Sequence, residues 1–156
     1  MPKISAGLVI YRKNNNRTEV LLVHPGGPFW VRKDKGAWSI PKGRNGHEED
    51  LLATARREVK EETGLDFNDD SSFVSLGSVT QKSGKIVHAW AVKAADFLQN
   101  GPNQVPIQSN TVKMGLLEFP EVDRAEFFTL EEAKDKINPA QIGFLDRLTE
   151  LIVAYL

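Results

Sequence analysis

The chain runs to 156 residues, 40% apolar and 26% charged, with a formal net charge of −1 and no cysteine. That length and composition describe an ordinary soluble protein with one sizeable core, and predict a single domain over residues 1–156. The near-neutral charge excludes a general basic surface, so no stable nucleic-acid binding is expected, and the lack of thiols excludes disulfides and thiolate metal sites.

The N-terminal apolar run is too short to span a membrane and lacks a cleavage-like site, so neither a span nor a signal peptide is expected and a cytoplasmic setting is the default. Ile4 to Tyr11 is β-rich and predicts a first strand. Polar Arg12 to Thr18, whose Asn14, Asn15 and Asn16 tolerate positive φ, predicts a turn. Glu19 to His24 predicts a second strand, antiparallel to the first through a long hairpin, and its continuous apolar run implies burial on both faces. His24 at its end reads as a packed or hydrogen-bonded residue rather than a ligand.

Pro25 to Gly36 is a glycine-rich, basic loop without the spacing of a phosphate loop. It brings Phe29, Trp30, Arg32, Lys33 and Lys35 next to the Trp38-Ser39-Ile40-Pro41-Lys42-Gly43 segment. Aromatics there could stack on a base while cations attract phosphate oxygens; a surface loop pinned by one buried aromatic fits the same residues. Trp38 and Lys42 are the substrate-contact candidates of this segment, Lys42 the better one for phosphate because it adjoins Gly43.

Pro41 to Leu65 organises the rest. A Pro-Lys-Gly turn leads through a polar loop into a helical pattern stopped by Gly64. Gly43 permits a sharp turn and a close backbone approach, so its carbonyl can face a cation. Glu49 and Asp50 sit where the helix begins, where its dipole favours negative charge. With Glu58 at zero and about 100° per residue, Glu62 lies at about 40° and Glu61 at about 300°. Leu51, Leu52, Ala55 and Val59 form an apolar stripe between about 20° and 120°, and Arg56, Arg57 and Lys60 fall at about 160° to 260°. Glu58, Glu61 and Glu62 thus border the buried stripe instead of opposing it. Three like charges at the edge of a core, with no lysine on their own face, point to a divalent cation, although a structural ion-pair network also collects such charges. The hard oxygen donors suit Mg²⁺, with Mn²⁺ as the variant.

Phe73 to Gln81 and Lys85 to Ala94 predict two strands joined by a Lys82-Ser83-Gly84 turn. Ile86, His88 and Trp90 alternate with Val87, Ala89 and Ala91, without indicating which set faces the carboxylates. Trp90 reads as core; Lys85 and His88 are either phosphate contacts or solvent-facing strand residues. Asp96 to Gly115 is mostly turn-forming, Thr111 to Phe119 a short strand, and Arg124 to Thr129 a last strand. Thr129 caps a helix with Glu131 and Glu132 in its first turn. Asn138-Pro139 breaks it, and Ala140 to Leu156 forms a final amphipathic helix.

The order Gly43, five residues, Glu49, seven residues, Arg57-Glu58-Val59, one residue, Glu61-Glu62, one residue, Gly64-Leu65 resembles the complete signature of the Nudix (MutT-like) hydrolases. The resemblance implies an α/β/α sandwich with a mixed central sheet, where the periodicities alone support only a mixed α/β or α+β fold. It implies that Arg57 pairs with acidic neighbours and orients the cluster, and that a further carboxylate comes from the region of Glu118 or Glu121, each of which reads equally as an exposed loop acid. The expected activity is Mg²⁺-dependent hydrolysis of a phosphoanhydride in a small nucleotide-type diphosphate. Glu58 and Glu62 are expected as principal metal ligands, Gly43 as a carbonyl ligand, Glu61 as bridging ligand or general base, and Lys42, Trp38 and Lys85 as substrate contacts.

Trp38 to Gly43 is similar to the corresponding segment of diadenosine tetraphosphate hydrolases, and Lys85 to Trp90 loosely to one of their strands. The tyrosine that dinucleoside polyphosphate enzymes often carry beyond the motif is missing; Thr80-Gln81-Lys82 stands there, and Val79 replaces the proline that marks ADP-ribose enzymes. The Pro25 to Gly36 insertion resembles a bacterial group of nucleoside triphosphate pyrophosphohydrolases. Dinucleoside polyphosphates therefore lead. A housecleaning enzyme for modified nucleoside triphosphates or RNA 5′-triphosphates is the alternative. From another class, a catalytically silent nucleotide-binding module is disfavoured by the intact carboxylates.

Overall fold

The computed structural model describes residues 3–46 and 48–154. Its first two strands, β1 (Ile4–Asn14) and β2 (Arg17–Pro25), extend further than their apolar runs. Asn15 and Asn16 both take positive φ, 52° and 65°, which is what a two-residue hairpin turn between twisted strands demands. Most of the polar Arg12 to Thr18 segment is therefore strand, and the hairpin is short instead of long. Arg12 is fully buried there, its charge met by Glu19 at 2.8 Å, its Nη1 by the Leu98 and Gly101 carbonyls and its Nη2 by Asn103 Oδ1.

A seven-stranded sheet forms the middle layer, in the order β4 (Val74–Thr80), β5 (Ile86–Lys93), β1, β2, β9 (Val122–Thr129) and β6 (Gln104–Val105), with β3 (Lys42–Arg44) also paired to β1. β1 and β5 run parallel, and every other pair is antiparallel. Strand alternation sends Ala6, Leu8, Ile10, Leu21 and Val23 to one face, where they pack on Ala55 and Val59 of α1 (Leu51–Thr63). Val9, Val20 and Leu22 go to the other face, where they meet Ala133 of α2 (Leu130–Lys136) and Phe144, Leu145 and Leu148 of α3 (Ile142–Ala154). The sheet is buried on both sides, as continuous apolar runs require, and the α/β/α sandwich is present. Val87, Ala89 and Ala91 of β5 face α3, while Trp90, partly buried, packs against the core on the α1 side.

Thr129 and Glu132 form a reciprocal capping box at the start of α2. The final helix is shorter than its apolar periodicity: Asn138 caps a single 3-10 turn, Pro139–Gln141, before α3 begins. The other departure lies between residues 111 and 120. The single strand expected there is a separate hairpin, β7 (Thr111–Met114) and β8 (Leu117–Pro120), turned at Gly115 with φ 63°. No described helix is long and apolar enough to cross a membrane.

Candidate active site

α1 is held at both ends by its own sequence. The Asp50 carboxylate accepts from the Ala53 N–H at 3.1 Å, and Gly64, at φ 80°, donates its N–H to the Lys60 carbonyl. Beneath it β3 pairs with β1, setting Gly43 opposite Ala6 and Lys42 opposite Gly7. Gly43 has to be glycine here: a Cβ would lie 1.9 Å from Glu58 Oε2. Helix and strand approach so closely that the Glu58 carboxylate rests against the β3 backbone.

Arg57 organises the acids around it. Its Nε and Nη2 donate to the two oxygens of Glu49 at 2.9 Å each, and Nη1 donates to Glu58 Oε1 at 2.9 Å and Glu61 Oε1 at 3.2 Å. Glu49 also accepts from Thr54 Oγ1 at 2.7 Å. The Arg57 fork, then the Thr54 hydroxyl, hold the Glu49 carboxyl at a pKa of about 2. The Arg57 pKa is raised, first by Glu49. Glu61 is exposed and turned to Arg57.

Glu62 behaves differently. It is buried and accepts from the Lys42 N–H at 2.9 Å. Burial, reinforced by the charge of Glu121, pushes its pKa up to about 8. Glu58 is raised as well, first by burial, with Arg57 opposing. Lys42 is lowered to about 8, chiefly by burial and then by the charge of Lys85. Two like pairs, Glu62 with Glu121 and Lys42 with Lys85, are thus collected in one place.

Lys42, Glu62 and Glu121 line one cleft of about 240 Å³, with Trp30, Trp38 and Gln81 among its other walls. Of the two candidate carboxylates beyond the helix, Glu121 is in the cleft. Glu118 is not: it lies exposed on β8, because the chain turns back at Gly115. The stacking candidate Trp38 also needs correction. Its ring is 1% exposed, set edge to face against His24 and Phe128, with its N–H given to Asp34 at 2.9 Å. It has no free face for a base; Trp30, partly exposed and set against Phe29 and the Lys33 ammonium, is the other aromatic lining the cleft. His24 is buried between Asp123 and the Lys33 carbonyl, a packed and hydrogen-bonded residue as expected. Ser39, Gln81 and Gln141 were not legible as cleft residues. Gln81 was expected at the end of a strand and Gln141 in the final helix, and nothing in sequence spacing links positions so far apart.

Among the described residues no three acidic or histidine side chains converge on one point, since Arg57 draws on Glu58 and Glu61 while Glu62 turns to the Lys42 amide. The donor chemistry nevertheless fits a hard cation. The charge of Glu121 raises the proton affinity of both Glu58 and Glu62, and glycine at position 43 leaves the Glu58 carboxylate against the backbone.

A family model described as the NUDIX domain matches residues 1–148. The chain belongs to the Nudix family. Nudix hydrolase 7 of Arabidopsis thaliana is 39% identical over 62 residues, 40% of this chain and 21% of that protein, so the match spans about a fifth of the relative's length. Among solved structures, a C. elegans Ap4A hydrolase binary complex is 25% identical with a TM-score of 0.65, covering 97% of this chain and 98% of that one. The NUDIX domain of Shewanella oneidensis NrtR complexed with ADP ribose is 15% identical with a TM-score of 0.61, over 97% and 89%. At that identity the second likeness bears on the fold alone.

Proposed function

We propose that this Nudix protein hydrolyses a phosphoanhydride bond of a nucleotide-type diphosphate in a Mg²⁺-dependent reaction, with dinucleoside polyphosphates as the leading substrates. The observation that carries the reading is the cleft itself. One small space is lined by buried Glu62, by Glu121 and by Lys42, with Lys85 beside Lys42. Burial and a like charge disfavour the ionised Glu62 and the protonated Lys42, and a ligand that carries both a cation and anionic oxygens relieves both. A metal-chelated diphosphate is such a ligand. Likeness to the C. elegans Ap4A hydrolase supports the dinucleoside class.

Glu58, Glu62 and the Gly43 carbonyl would hold Mg²⁺ or Mn²⁺, with Glu121 as the further carboxylate. When bound, the ion neutralises the diphosphate and acidifies water. Arg57 fixes Glu58 and Glu61 in orientation through the Glu49 fork. Glu61, exposed and among the described residues tied only to Arg57, can release that bond to accept a proton, as a general base or bridging ligand does. Lys42 and Lys85 bind phosphate oxygens as paired point charges. A cytoplasmic setting belongs to the same reading, and the cysteine-free sequence is compatible with it.

The test is a hydrolysis screen with Mg²⁺ over dinucleoside polyphosphates, nucleoside triphosphates, nucleotide sugars and triphosphate-ended RNA, with products identified. Dinucleoside polyphosphates should turn over fastest, and EDTA should abolish the activity. Preference for modified nucleoside triphosphates or RNA ends would transfer the assignment to a housecleaning enzyme. No turnover of any substrate would leave a binding module.

A further inference from the structure

One wall of the cleft carries a fixed hydrogen-bond polarity. Gln141, on the 3-10 turn before α3, is fully buried, and a backbone group sets its orientation. The Ile40 N–H donates to Gln141 Oε1 at 3.0 Å, and a peptide N–H can only donate. Gln141 Nε2 therefore points the other way, donating to Ser39 Oγ at 3.1 Å and to Gln81 Oε1 at 3.2 Å. The Gln81 atom receiving that bond has to be its oxygen. Its NH₂ is turned away from Gln141, and it has no protein partner among the described residues. The backbone beneath cannot swing: Gln81 donates its N–H to the Lys85 carbonyl at 2.7 Å and accepts from the Gly84 N–H at 2.8 Å.

We infer that Gln81 is a specificity-determining residue that selects an unprotonated acceptor oxygen on the ligand, a phosphate oxygen or a ring carbonyl. The inference rests on the cleft being the substrate site proposed above. A donor-only amide pairs with such an oxygen, whereas an amino group at the same place would leave two donors facing each other, both unsatisfied. The polarity is relayed from the Ile40 peptide through two side-chain amides, so it exists before any ligand arrives. Lys85 sits on the same β4–β5 turn and reaches Lys42, which brings donor and cations to one oxygen-rich group together.

The experiment compares wild type, Gln81→Leu and Gln81→Glu for binding of inorganic tripolyphosphate, ATP and GTP. Tryptophan fluorescence is read on mixing with Mg²⁺, before turnover, and hydrolysis is scored separately. Gln81→Glu keeps an oxygen for Gln141, so a packing role would survive it, but it adds a negative charge as well as removing the outward donor. Gln81→Leu removes the donor without adding charge, so the loss is assigned to the donor where both variants show it. Both variants should bind at least GTP about tenfold more weakly, with thermal unfolding unchanged. Equal loss for all three probes assigns the bond to a phosphate oxygen, and loss confined to GTP assigns it to the base carbonyl. Wild-type affinity in both variants overturns the inference. So does loss in Gln81→Leu that Gln81→Glu restores, loss confined to ATP, or a wild type that binds none of the probes. A wild type that binds the probes and hydrolyses nothing defeats the proposed function, while the binding data still decide the role of Gln81.

Discussion

Glu62 and Gly43 show how two residues of one motif reach the site by different physics. Glu62 is buried at the inner edge of α1, and its pKa of about 8 lies well above the ordinary 4.5. Between those values the folded chain binds a proton that the unfolded chain releases, so stability falls as pH rises. The contribution is complete below about pH 4.5 and lost as pH passes through about 8. Metal-free protein in EDTA should therefore show a falling Tm from neutral to pH 8.5, and Mg²⁺ should remove the decline by favouring the ionised carboxylate. A Tm that rises over this interval in EDTA would contradict the burial of Glu62 as the controlling influence. Gly43 matters for space: with a Cβ 1.9 Å from Glu58 Oε2, Gly43→Ala must displace the Glu58 side chain from its seat on β3. Overpacking of this kind costs about 1–3 kcal/mol, and denaturant unfolding should show that loss beside a much larger loss of turnover. Unchanged turnover would mean that Glu58 needs no such contact.

At the scale of elements, the β7–β8 hairpin is what the sequence hid. Its tip is wholly exposed, with Leu116 at 105% relative accessibility, so no apolar periodicity could announce it. Its base is tied to the site. Asn110 donates its N–H to the Glu61 carbonyl and accepts from the Glu121 N–H, and Gly26 donates its N–H to the Glu121 carbonyl. Gly26 and Gly27 are glycines because Pro120 and Phe119 pass directly over them; a Cβ on Gly26 would lie 2.0 Å from the Pro120 carbonyl oxygen. Gly26→Ala should displace β8 and with it Glu121, lowering kcat/KM by about 10²-fold while circular dichroism stays native. Undiminished kcat/KM would show that Glu121 takes no part. Strands with two buried faces were legible, because a short continuous apolar run bounded by turn residues needs cover on both sides. Short strands were not: β3 is three residues of Lys-Gly-Arg, formed because the neighbouring β1 offers backbone partners to any sequence that can lie flat there.

For the whole molecule, the reaction centre could be read and its surroundings could not. The α1 carboxylates follow from one helical period and one motif, both local in sequence. The cleft assembles Trp30, Lys42, Gln81, Glu121 and Gln141 from five separate segments, and only the topology brings them together. Trp38 illustrates the limit: beside the motif it looks like a substrate platform, yet the turn into β3 drives it into the core between His24 and Phe128. The central claim is that buried Glu62 serves a bound cation in phosphoanhydride hydrolysis. Its most direct test is Glu62→Gln, which keeps an oxygen for the Lys42 N–H and removes only the charge. Steady-state hydrolysis of the best substrate with saturating Mg²⁺ should fall on the order of 10³-fold, with the Tm at pH 8 held or raised. Wild-type turnover in Glu62→Gln would contradict the account.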